Sequence, residues 1–303
     1  VKRMAWIGLA LVTGCGAERA PVVPAVVKPP VKVARCVLKF PDRRAGAAAR
    51  ARLERDLARY AADRPGRIVY GALDLASGIR LGHGEHDHEL ITASGAKVDI
   101  VAALLQRRTG RLDEEELDLA TRMIKESDNR AADALWSRVG GSGAMSAFYR
   151  KAGLRETTPG PGIYWGGTKS SPADRIRLLK VLVKGVKGVK GLSAADRRLV
   201  LGLMGQVMRE QAWGVSAAAR RGDRVALKNG WTPRPFIHNT WAVTSYGRIL
   251  GPGRDLLLSV QTDQQPGHGA GVQTIERLAR MIGTRLDDLS PTIERPCPTN
   301  PIP

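Results

Sequence analysis

No apolar run in this sequence is long enough to cross a bilayer as a helix; the most apolar stretch near the N-terminus, residues 4–12, falls well short of the ~20 residues required. Cysteine is scarce, at three residues of 303, and shows no zinc-finger spacing. Acidic side chains are in deficit: 29 Asp and Glu face 48 Lys and Arg, leaving a formal charge of +19. That excess points to anionic surroundings, whether nucleic acid, acidic headgroups or acidic wall polymers. No basic helix interleaved with aromatics accompanies it, which speaks against nucleic acid. A blander reading also stands, in which much of the excess is Arg on solvated faces. The 43% hydrophobic and 25% charged content is ordinary for a globular chain of one or two domains.

Lys2 and Arg3 precede the apolar run, which is followed by Thr13, Gly14 and Cys15. A short basic segment, a short apolar segment and small residues form an export signal. Val12-Thr13-Gly14-Cys15 also reads as a lipobox, with Cys15 the acylated first residue of a lipoprotein on the outer face of the cell membrane. The alternative is an uncleaved apolar N-terminus with an incidental cysteine. Export removes nucleic acid as a partner. With Cys15 lipidated, Cys36 and Cys297 remain as a pair for an oxidising compartment. The expected organisation is a signal at 1–15, a Pro-rich tether at 16–40, one folded domain at 41–290 and a Pro-rich tail at 291–303.

Apolar spacing predicts a helix over 47–62, then strands over 67–75 and 79–82 around the Ser77-Gly78 turn. Helices follow over 94–106, 114–125, 130–139, 144–152, 172–182 and 194–207. Lys184, Lys187 and Lys190, each followed by Gly, read as a basic loop. Strands over 224–228, 240–246 and 255–262 and a helix over 271–282 complete the order. Strands from both ends share one antiparallel sheet if the helical stretch is an insert. The fold class is therefore α+β, a five-stranded antiparallel sheet flanked by helices, with an inserted all-helical subdomain and a cleft between them.

Three short motifs carry candidate chemistry. In Ser94-Gly95-Ala96-Lys97, a helix starting at Ser94 would set Lys97 one turn above the hydroxyl. A lysine that has lost its proton can activate a serine, which requires a desolvated site with another cation nearby. The spacing alone also arises by chance. Ser127-Asp128-Asn129 is more selective, although Asp128 there also suits a helix N-cap. Lys228-Asn229-Gly230 is weak as a string, but it follows the strand-like Val225-Ala226-Leu227. Glycine at such an edge lets a backbone approach closely, and Lys228 supplies the second cation.

Taken in order, the three motifs resemble those of the penicillin-recognising serine hydrolases, especially class A β-lactamases and the related actinobacterial hydrolases with a Lys-Asn-Gly-Trp segment, here Lys228 to Trp231. The resemblance spans roughly 67–282. It implies that Ser94 is the acylated nucleophile, Lys97 its base, and Ser127 the proton shuttle to the leaving amine. It further implies that Asn129 holds the substrate amide and that Lys228, with Asn229, Gly230 and Trp231, binds substrate. The N–H groups of Ser94 and Trp231 would form an oxyanion hole. A β-lactam or a wall D-alanyl peptide would be the substrate, with a monomer and no cofactor expected.

Three departures matter. Asn229 replaces the usual hydroxyl residue, and the stretch between Lys97 and Ser127 is short. Residues 159–169 hold no Glu where class A enzymes carry their deacylation base; Glu156 comes too early and Asp174 falls in the next helix. A non-catalytic envelope lipoprotein that keeps this fold is the rival reading. His83, His86 and His88 could suggest a metal but are explained by a strand-edge loop, so no metal is expected. Tyr164 and Trp165 either line the cleft or pack beneath the loop.

Overall fold

The computed structural model describes residues 36–108, 111–185 and 192–297. The export segment, Cys15, most of the tether, Lys187 and Lys190 lie outside these residues. The first elements are β1 (Val37–Pro41), α1 (Arg43–Ala62), β2 (Arg67–Asp74) and β3 (Arg80–His83). A helical stretch follows with α2 (Lys97–Arg107), α3 (Glu114–Lys125), α4 (Asn129–Val139) and α5 (Gly141–Ala152). A short pair, β4 (Thr157–Thr158) and β5 (Lys169–Ser170), precedes α6 (Pro172–Lys184) and α7 (Ala194–Met204). Then come β6 (Arg224–Arg234), β7 (Thr240–Gly251), β8 (Arg254–Gln265), α8 (His268–Arg285) and β9 (Thr292–Pro296).

The five-stranded sheet has the order β3-β2-β8-β7-β6 and is antiparallel throughout. Strands from the two ends of the chain meet where Arg67 faces Asp263, so α2 to α7 form the expected insert. β6 is an edge strand, which is why it accommodates Pro233 and runs on to Arg234, well past the expected end at 228.

Alternation along the strands sends side chains to two cores. Ile68, Tyr70, Leu256, Leu258 and Val260 pack with Leu53 and Leu57 of α1 and Ile275, Leu278 and Ile282 of α8. Leu73, Tyr246 and Leu257 point the other way into a core shared with the inserted helices. α2 is the axis of that second core, with every residue from Lys97 to Gln106 buried. Helix starts follow side-chain chemistry: Asp113 and Glu116 form a capping box on α3, and Ser193 and Asp196 form one on α7. Ser171 caps α6 ahead of Pro172.

The chain divides into two compact units, one being Lys39–Ile293. In the other, Cys36 and Cys297 are joined by a disulfide with Cα atoms 5.3 Å apart. The Cys297 N–H donates to the Cys36 carbonyl at 3.1 Å. β1 and β9 pair as a ribbon, although the sequence reads residues 37–40 as the end of the Pro-rich tether and 292–296 as part of the Pro-rich tail. A non-reducing peptide map of protein from an oxidising compartment should link Cys36 to Cys297, across a sequence separation of 261. Two free thiols in that map would contradict the bridge.

Candidate active site

Ser94 lies in a 3-10 turn, Ala93–Ala96, that feeds into α2, rather than in the first turn of the α-helix itself. Ala93 holds φ at +45°, a left-handed conformation that costs a residue with a Cβ of order 1 kcal/mol or more. Surrounding bonds fix the turn. The Gly95 N–H donates to Thr92 O at 2.8 Å, and Thr92 donates its own N–H and hydroxyl to Thr168 O at 2.8 and 3.0 Å. Tyr246, fully buried in β7, donates its hydroxyl to Gly95 O at 2.8 Å. The Tyr246 ring lies 5.6 Å from the Arg175 guanidinium, which bonds both oxygens of Asp99 at 2.7 and 2.9 Å.

Lys97 reaches across to the loop between α3 and α4. Its Nζ donates to Ser127 O at 2.6 Å, Ser127 Oγ at 3.1 Å and Asn129 Oδ1 at 2.7 Å. Lys228 Nζ, arriving from β6, donates to the same Ser127 Oγ at 3.0 Å and to Asn229 O at 2.9 Å. Burial lowers Lys97 to about 7, against the pull of Asp128 and Asp133. Burial, then the neighbouring Lys97 charge, holds Lys228 well below the usual lysine range. Asp128 takes no hydrogen bond from this group: it caps α4 through the Ala131 N–H at 3.1 Å and pairs with Arg122 at 3.0 Å.

β6 closes the other side. A Cβ on Gly230 would stand 2.2 Å from Thr92 O and 2.8 Å from Ser94 N, so only glycine permits this approach of strand to turn. Ser94, Asn129 and Trp231 all line a cleft of about 770 Å³. Asn229 does not join them. Its Nδ2 donates to Gln211 O at 2.8 Å and Trp213 O at 3.0 Å, and the longer amide is spent on anchoring that segment to the strand.

The loop between β4 and β5 forms the roof. Trp165 is buried with its ring 4.7 Å from Lys97 Nζ, and its Nε1 donates to Asp133 Oδ1 at 2.7 Å. Trp136 donates to Gly162 O at 2.9 Å. Tyr164 and Ile163 remain exposed at the rim, so the two aromatics take different places. Glu156 is engaged with His86 and Ser171. His83 stacks on Tyr70, and His88 bonds His86 O. Asp133 and Tyr246 escape the motif reading, although Asp133 leaves a trace, four residues after Asn129 and so on the same helical face; Trp165 is legible only as a residue that lines the cleft or packs beneath the loop.

A family model described as "Beta-lactamase enzyme family" matches residues 115–286. The chain belongs to that family. Its curated relatives include "Putative lipoprotein LppW" of Mycobacterium tuberculosis and Mycobacterium bovis, 28% identical over 229 residues, covering 71% of this chain and 69% of the relative. Among solved structures, a variant of the last common ancestor of Gram-negative bacteria β-lactamase class A superposes with TM-score 0.65 at 23% identity, covering 78% of this chain and 98% of that one. PBP-A gives 0.66 at 20%, with 78% and 96% coverage. A β-lactamase from Xanthomonas campestris gives 0.66 at 21%, with 80% and 98% coverage. These likenesses establish the β-lactamase fold.

In this member of the family, Gly230 is where β6 closes on the Ala93–Ala96 turn. Gly230→Ala should lower stability by about 1–3 kcal/mol in denaturant unfolding, since backbone rather than a flexible side chain must yield. An unchanged midpoint would show that the strand stands farther from the turn.

Proposed function

We propose that the chain is a serine acyl hydrolase that attacks β-lactam or D-alanyl peptide amides through an acyl-enzyme at Ser94. The observation that supports this best is the sharing of Ser127 Oγ by Lys97 and Lys228. With Lys97 near 7, a neutral amine is present at physiological pH one turn beyond Ser94 to take its proton. Attack on the carbonyl builds an oxyanion, met by the N–H groups of Ser94 and Trp231. The leaving amine takes a proton from Ser127, whose oxygen is resupplied by the lysines that donate to it. Lys228 attracts the substrate carboxylate, and Asn129, its Oδ1 held by Lys97, presents its Nδ2 to the substrate amide.

Deacylation lacks its usual partner. Residues 159–168 contain no carboxylate, an indole covers Lys97, and Glu156 is committed to His86 and Ser171. Loss of a positioned general base costs ~10²- to 10⁴-fold in rate. Fluorescent penicillin should label wild type and not Ser94→Ala, and the mass adduct should persist through a chase, with Glu156→Gln releasing it no more slowly. The acylation rate should rise with pH through about 7 and then level, because the unprotonated form of Lys97 is the reactive one. A rate that falls across that range would remove Lys97 as base. Absence of any adduct would favour the rival, a wall-fragment binder.

The relatives' printed name and the segment ending at Cys15 support a lipid-anchored, exported protein. Palmitate labelling in a bacterial host should vanish in Cys15→Ser; persistent label would refute the anchor.

A further inference from the structure

The cleft face of α4 carries Asn129, Asp133 and Ser137, spaced four residues apart and all lining the cavity. Each step advances about 6 Å along the helix. Asp133 is the one charged side chain among the described residues of that lining, and it is acidic in a chain whose formal charge is +19. Its Oδ1 is taken by Trp165 Nε1 at 2.7 Å, while Oδ2 has no hydrogen bond among the described residues and the side chain is exposed to the cleft. Beside it stand the aromatic and apolar side chains of Trp136, Tyr164 and Ile163, the last two 56% and 87% exposed. A carboxylate in a cleft that also presents aromatic side chains favours an ammonium group.

We propose that Asp133 is a specificity residue that selects acyl donors bearing an ammonium group about one helical turn beyond the amide held by Asn129. This rests on the reading of Asn129 as the amide-holding group. The selection applies to the acyl side, since the leaving-amine side faces Ser127 and Lys228. Asp133 thereby has two tasks on two oxygens: Oδ1 braces the roof loop through Trp165, and Oδ2 meets the ligand.

Ampicillin and benzylpenicillin differ by an ammonium on the benzylic carbon, and their second-order acylation constants at about pH 6.5, where such an amine is protonated, report the preference. Wild type should favour ampicillin roughly threefold to tenfold. Asp133→Asn, which keeps an oxygen for Trp165, should bring the ratio to about one. Trp165→Phe, which removes the brace and keeps the charge, should retain it. Equal ratios in wild type and Asp133→Asn overturn the proposal. It is equally overturned by a ratio lost as fully in Trp165→Phe, or by an Asp133→Asn protein changed only in release of the acyl group. Calorimetric binding to Ser94→Ala of Nα-acetyl-Lys-D-Ala-D-Ala, against its ε-acetylated form, repeats the comparison on a peptide without acylation. Preference for the free ε-ammonium, with no acylation of wild type by either penicillin, upholds the ammonium site and sinks the acyl-enzyme reading instead. Preference for ampicillin alone upholds the site for β-lactams, and no preference in either arm removes it.

Discussion

Lys97 and Lys228 donate to the same hydroxyl, that of Ser127, from opposite layers of the fold. Both are withdrawn from water, and the lost hydration lowers the proton affinity of each, with the Lys97 charge lowering that of Lys228 further. Three features of the site bear on that arrangement. α2 must be buried on all sides to withdraw Lys97, β6 must come close enough to deliver Lys228, and Trp165 must lie over the Lys97 amine where solvent would otherwise enter. The indole face carries no formal charge but still favours an ammonium beside it, so it is burial that lowers Lys97.

Near the Ala93–Ala96 turn is a second buried polar group. Arg175 and Asp99 are both fully buried and paired, Tyr149 adds a hydroxyl to Asp99 at 2.9 Å, and Ser170 Oγ accepts from Arg175 Nε at 2.9 Å. Such a pair contributes little net stability compared with apolar packing, although breaking it from one side is costly. Its value here is geometric. The ring of Tyr246 is wedged against Arg175, its hydroxyl holds Gly95 O, and the turn keeps Ala93 in a conformation it would otherwise leave.

Much of this is legible in the sequence, and unevenly so. The five strands and the helical insert follow from short apolar runs set between turn signals and from the amphipathic spacing of helices such as α3 and α4, although β2 and β8 are buried on both faces and do not alternate. Lys97, Ser127, Asn129 and Lys228 meet through shared hydrogen bonds and Ser94 lines the same cleft as Asn129; Lys97 and Asn129 open helices, where local spacing determines direction, whereas Lys228 is delivered from the middle of β6. Asn229 departs because one amide reaches carbonyls at Gln211 and Trp213 that no string of neighbours reveals. Trp165, Tyr246 and Arg175 act over long separations in sequence, and only the folded chain brings them to α2. The ribbon strands β1 and β9 are hidden by their prolines, and the start of α2 shifts because a 3-10 turn and an α-helix share the same first residues.

The sheet joins residue 67 to residue 263, and β6 gains its place only when β7 and β8 lie beside β2. Long-range pairing of this kind is slow to close. Before it closes, Lys97 is a solvated lysine with an ordinary affinity for its proton. The lowered proton affinity of Lys97 and Lys228 is therefore a property of the finished sheet. A nascent or partly opened chain carries the same residues in the same order, with two ordinary ammonium groups in water.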